Sequence, residues 1–170
     1  WKNLPPEEYA RFIEGSWDFI EDPDQLIKAE WVWAARNVER IPNSRPRRLG
    51  VDVARYGDDR STHAVMEDNA LLDIEAFTKL SIDSFVDKTL IKVVGPPLIQ
   101  HVRVDGVGMG GGTVDYLIRN LADKDVEIYD VIAGAKPIER KDSFFKFKDL
   151  RSQMWWEFRE KLRLRQVSLP

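Results

Sequence analysis

Cysteine is absent from the 170 residues. That excludes a disulfide scaffold, a cysteine-ligated zinc site and a thiol nucleophile. No apolar run approaches the roughly 18 residues of a membrane span, so no membrane partner is expected. A charged-then-apolar leader is missing, as are internal repeats and low-complexity tracts. Neither charge sign dominates: 26 basic and 29 acidic residues leave a net charge of −3. The phosphate-binding pattern G-x-x-x-x-G-K-[ST] does not occur, so a P-loop motor is excluded. What is present, 43% apolar and 32% charged residues, suits an ordinary globular protein and excludes a disordered chain. The length fits one domain with a short appendage. The first residue is Trp1, so the chain is expected to be a piece of a longer one.

The small net charge hides a gradient. Residues 1–45 carry 6 basic and 9 acidic side chains, residues 46–133 carry 10 and 15, and residues 134–170 carry 10 and 5. An acidic middle followed by a basic end suits carboxylates that gather a metal beside a surface that meets a polyanion. Charge spread over the surface for solubility is the plainer alternative.

Residues 1–45 read as a helical lead-in, with a first helix opened by Pro5-Pro6-Glu7-Glu8 and a second apolar-periodic stretch from Leu26 to Val38. Ile41 to Pro46 is a proline-bearing linker, and a domain spanning 46–170 is expected after it. There the pattern becomes α/β. A strand covers Leu49 to Ala54, and strands Thr62 to Glu67 and Ala70 to Phe77 form a hairpin about Asp68-Asn69. A helix capped by Ser81 runs to about Val94. A strand His101 to Asp105, a glycine loop, a helix Thr113 to Leu121, a strand Val126 to Ala133, a basic loop and a helix Lys148 to Leu164 follow. This order predicts a mixed five-stranded sheet flanked by helices.

Two acids stand out. Asp52 lies between Val51 and Val53 in a strand, where an unpaired carboxylate is costly and needs a metal, an arginine or a row of donors. Asp105 ends the strand Val102-Arg103-Val104. Carboxylates at the ends of neighbouring strands can converge to make an oxygen-ligand site for Mg²⁺ or Mn²⁺. Asp58 and Asp59, in the turn after the first strand, can close over the same point. The alternative is a pair of ion-paired or turn-capping acids.

Gly106-Val107-Gly108-Met109-Gly110-Gly111 matches the dinucleotide fingerprint G-x-G-x-x-G. It makes a nucleotide-binding module using the Gly106–Gly112 loop a competing function, and a non-catalytic assembly module is a third. Two features weigh against a dinucleotide: the loop follows the fourth strand, and Asp105 would face the pyrophosphate. The glycines instead suit close approach of backbone and substrate to Asp105. His63 reads as a structural histidine inside a strand and His101 as a surface one. Trp155, Trp156 and Phe158 lie on the last helix, where core packing is the expectation for most of them.

Leu49-Gly50-Val51-Asp52-Val53-Ala54-Arg55-Tyr56-Gly57-Asp58-Asp59-Arg60-Ser61 resembles the opening motif of the nuclease domain in bacteriophage terminase large subunits. Val104-Asp105-Gly106-Val107-Gly108-Met109-Gly110, followed by Val114-Asp115, resembles that family's second acidic motif. Phe147 to Trp156 resembles the helix that follows, and Phe12 to Trp17 with Leu26 to Ala35 resembles the segment joining motor to nuclease. The resemblance covers nearly the whole chain. It implies a ribonuclease H-like fold and an endonuclease that cuts concatemeric viral DNA during genome packaging. Asp52 would be the central metal-bridging carboxylate, Asp105 the second, and Asp58 a supporting ligand, for two Mg²⁺ or Mn²⁺ ions. A two-metal hydrolysis needs no histidine or serine nucleophile, which suits a chain with only His63 and His101. The family's further acid, in a Ser-Pro-Asp-like motif, is expected beyond Pro170. Lys136, Arg140, Lys141, Lys146, Lys148 and Arg151 would meet the DNA backbone; an exposed basic loop and helix face is the alternative. The implied partners are double-stranded DNA, an ATPase motor domain, a portal protein and a small terminase subunit, and the implied location is the cytoplasm of an infected or lysogenic bacterial host.

Overall fold

The computed structural model describes residues 25–40, 46–54, 59–96, 98–108, 110–140 and 145–170. The first expected helix, most of the Ile41–Pro46 linker, Asp58 and Lys141 lie outside the described residues.

Alternation of apolar and polar residues builds the centre. In β1 (Arg48–Asp52) Leu49 and Val51 are buried; in β2 (Arg60–Glu67) Ser61, His63 and Val65 are. Such period-two burial is what a strand covered on one face requires. β2 turns at Asp68, which takes a left-handed φ of 49°, into β3 (Ala70–Thr78). Asp tolerates that backbone better than most residues. The helix α2 (Ile82–Val94) begins where expected: the Ser81 hydroxyl accepts from the Ser84 N–H at 3.2 Å. β4 (His101–Asp105), α3 (Gly110–Asn120), β5 (Glu127–Val131) and α4 (Leu150–Arg163) complete the order, and a short α1 (Ala29–Ala35) precedes β1.

The sheet runs β3-β2-β1-β4-β5. β1 to β3 form an antiparallel meander, and β4 and β5 add in parallel to β1. The main core lies on one face, where Leu49, Val51, Val102 and Val104 pack with Phe85, Val86 and Val93 of α2 and Val114 and Leu117 of α3. A second, small core joins α1 to α4: Ala35, Leu162 and Val167 are buried with Ile27, Trp31 and Leu169 against them. The final residues return to the hairpin, where the Leu71 N–H donates to the Ser168 carbonyl at 2.9 Å. No helix among the described residues is long and apolar enough to cross a membrane.

The elements follow the sequence expectation, with shifted ends. α3 starts at Gly110 rather than Thr113. One expectation needs correction: Trp155 and Phe158 are not core residues, being 53% and 37% exposed, while Trp156 is half-buried. Trp155, Phe158 and Leu162 form one stripe at i, i+3, i+7. The seven-residue α1 covers only its Leu162 end, so the stripe runs on uncovered.

Candidate metal centre and nucleic-acid interface

Asp52 and Asp105 each end a strand, and the two strands are parallel neighbours with Val51 opposite Val104. The next residues are therefore side by side. Val51 and Val104 face the core, so alternation turns both carboxylates to the other face of the sheet. Asp52 is exposed and Asp105 half-buried. Partial burial, then the negative charge of Asp105, push the Asp52 carboxyl above its ordinary value. Two adjacent carboxylates, one of them harder to ionise for the presence of the other, are a donor set that a hard divalent cation would relieve. One Asp105 oxygen, Oδ1, accepts from the Val107 N–H at 3.1 Å, which fixes the carboxylate against the loop. After β1 the chain is held by the Ala54 N–H donating to Ser61 Oγ at 3.0 Å. Among the described residues no group of three or more acids or histidines is placed to hold a metal.

The glycine loop is shaped by close packing. A Cβ on Gly110 would overlap the carbonyl oxygen of Asp105, and one on Gly106 would overlap the carboxylate of Asp130. Hence the first turn of α3 can sit against the end of β4 only without side chains there. A pyrophosphate in this loop would meet Asp105 and Asp130, which opposes the dinucleotide reading. Asp130 was not singled out from the sequence. Its signal was an acid one residue before the end of a strand, at the same end as Asp105, opposite Val104.

The basic end adjoins this site through the start of α4. The Arg151 N–H donates to the Ala133 carbonyl and the Leu150 N–H to the Ala135 carbonyl, both at 2.8 Å. Ala133 is two residues past Val131, which pairs with Asp105. Asp149 caps the helix, accepting from the Ser152 hydroxyl at 2.7 Å and the Ser152 N–H at 2.8 Å; the hydroxyl first, then the N–H, hold its carboxyl below the usual range. Lys136, Lys146, Lys148 and Arg151 are exposed and make no ion pair among the described residues, whereas Arg140 pairs with Glu157 at 2.9 Å. Of the remaining expectations, His63 is buried and His101 is half-buried, its Nδ1 3.0 Å from Glu127.

No family model matches the chain, and no curated protein does. Solved structures do. The nuclease domain of the large terminase subunit gp2 of bacterial virus Sf6 matches with a TM-score of 0.72 at 18% identity, over 85% of this chain and 73% of that one. A point variant of that domain with manganese and beta-thujaplicinol matches with a TM-score of 0.73 at 18% identity and the same coverage. A variant with calcium gives 0.72 at 17% identity, again over 85% and 73% of the two chains. The five-stranded mixed sheet with its flanking helices is thus the ribonuclease H-like fold of phage terminase nuclease domains.

Proposed function

We propose that the chain is the metal-dependent DNA endonuclease domain of a viral genome-packaging terminase. The observation that carries this reading is the pair Asp52 and Asp105, side by side at the ends of the two central parallel strands, in a fold shared with terminase nuclease domains. Asp52 and Asp105 would hold Mg²⁺ or Mn²⁺, with Asp58 as a further ligand and two ions in the complete site. A bound ion would supply Lewis-acid activation of the attacking water and charge compensation for the phosphate oxygens.

The rest falls to this chain's own side chains. Asp52, whose carboxyl lies beside Asp105 at the strand ends, would be shared between the ions. The Val107 N–H holds one Asp105 oxygen and so restricts the rotamers of that carboxylate. Lys136, Lys146, Lys148 and Arg151 bind the phosphates on either side of the scissile bond and hold the strand in register. Arg140 can join them only by releasing Glu157. In the whole protein the domain would act beside an ATPase motor, a portal and a small terminase subunit, in the cytoplasm of the bacterial host.

The test is plasmid nicking with Mn²⁺ or Mg²⁺, with and without EDTA. Metal-dependent nicking that is lost in Asp52→Asn and in Asp105→Asn is expected. Nicking that survives EDTA, or survives both substitutions, would overturn the assignment.

A further inference from the structure

A groove of about 610 Å³ opens beside the N-terminal half of α4, lined by Leu26, Phe147, Arg151, Ser152, Trp155 and Trp156. Its aromatic walls differ in what they already do. Trp156 is half-buried, in tilted contact with Phe145 at 4.9 Å between ring centres, with the Arg159 guanidinium 4.5 Å from its ring centre. Trp31 and Trp33 likewise have cations over their rings. Trp155 has no ring or cation partner among the described residues and keeps 53% of its surface exposed. At its edge stands Arg151, exposed and without an ion pair, with Lys146 and Lys148 beside Phe147. Flat apolar faces rimmed by uncommitted cations complement a chain of anions that carries flat rings.

We infer that this groove receives an unpaired base of a DNA strand, stacked on Trp155, while Arg151 holds its phosphate. The inference rests on the nuclease reading for its ligand, and position favours it. Arg151 is hydrogen-bonded to Ala133, two residues from the partner of Asp105. Two residues span at most about 7 Å. A strand running from the carboxylate pair toward α4 therefore passes Arg151 and reaches Trp155 one helical turn on. A paired base has its faces covered by its neighbours and cannot stack there. The groove thus selects strands opened near the cut, at frayed ends or gaps, over continuous duplex. Base–aromatic stacking tolerates any sequence, because every base offers a π-face.

The experiment is fluorescence anisotropy in EDTA, so that no strand is cut, with labelled oligothymidylate and a blunt duplex of equal length as probes. The protein is expected to bind both. Trp155→Ala should weaken oligothymidylate binding roughly ten- to hundred-fold, the range of one lost stack, and leave duplex binding within about twofold. Trp155→Phe should recover most of the loss. If Trp155→Ala does not fold, Phe147→Ala, which removes another aromatic wall of the groove, reads the same selective loss. Equal losses on the two probes, or none on oligothymidylate, would overturn the inference. So would Trp155-dependent self-association, seen by sedimentation, which would give the groove to a second copy. Wild-type binding to duplex alone overturns this inference and leaves the nuclease reading standing. Binding to neither probe overturns both.

Discussion

The His63 ring clusters with Phe77 and Phe85, with centroids 5.1 and 4.7 Å away, and is 1% exposed. The Thr89 hydroxyl donates to the Phe85 carbonyl, so it accepts from Nε2–H of His63 at 2.9 Å. Nδ1 is left without a hydrogen bond, 3.8 Å from Glu75. Burial pushes this histidine down to about 4, against the opposing pull of Glu75 and Asp73 and with some help from Lys92. The sign follows from linkage. The unfolded chain takes up a proton near pH 6.5, whereas the folded one resists until about pH 4. Stability is therefore complete above pH 6.5, falls as pH drops from 6.5 toward 4, and levels off below. The loss over that window is about 3 kcal/mol. Urea denaturation across pH 7 to 4 should show it, and His63→Gln, which keeps a donor for Thr89, should flatten that part of the profile. A second prediction at this scale concerns Asp52. Asp52→Asn removes one of two facing negative charges while preserving shape, so its melting temperature should equal or exceed that of the wild type although cleavage is lost. A variant that melts well below the wild type would mean that Asp52 holds the fold together instead of serving the site.

Packing of the glycine loop against β4 makes a graded prediction at the scale of the element. Gly110→Ala drives a methyl into the backbone oxygen of Asp105, which cannot swing away. It should cost several kcal/mol, as strained core substitutions do, on the order of 1–3 or more, and displace Asp105. Gly106→Ala meets only the carboxylate of Asp130, the movable end of a side chain, and should cost less. Gly112 has open space around its Cβ position, so Gly112→Ala should stabilise α3 by about 1 kcal/mol through helix propensity. Thermal melts of the three variants check the order 112, 106, 110. A different order would remove the packing account of the loop. The same loop shows what could be read from sequence. Asp52 and Asp105 were legible because a carboxylate amid valines is anomalous wherever the strands go. The hairpin at Asp68-Asn69 and the Ser81 cap were legible because turn and cap chemistry are local. The three-residue extension of α3 was not, since Gly110 to Gly112 have poor helix propensity and are helical only through contact with β4. Nor was the exposure of Trp155 and Phe158: a helical stripe declares that it is apolar, and only the length of α1 decides how much of it is covered. The contact of Asp130 with the glycine loop was silent for a similar reason. It depends on the β4–β5 register, which no local pattern encodes.

Across the whole molecule, the carboxylate pair and the uncommitted cations occupy the same end of the sheet, although they lie far apart in the chain. β5 delivers the chain to that end, and the bonds from Arg151 and Leu150 to Ala133 and Ala135 pin the start of α4 there. If the site receives a polyanion as proposed, such an arrangement is needed, because phosphates approaching Asp52 and Asp105 alone would be repelled. If Lys148 and Arg151 contact phosphates, each releases a counterion on binding. Affinity for duplex DNA should then fall linearly with salt on a logarithmic scale, by about 0.9 per contact, independent of sequence. Reversing both, Lys148→Glu with Arg151→Glu, should weaken binding to every sequence tested and reduce the slope by about 2. Lys124→Glu is the matched control. Lys124 pairs with Asp123 and precedes the start of β5, at the opposite end of the sheet. It changes net charge by the same amount per substitution without touching the proposed track, so its slope should stay at the wild-type value. Gel-shift titrations over a salt series measure all three proteins. A slope unchanged in the double variant, or reduced as much per charge by Lys124→Glu, would show that net charge and not this surface governs the approach of DNA.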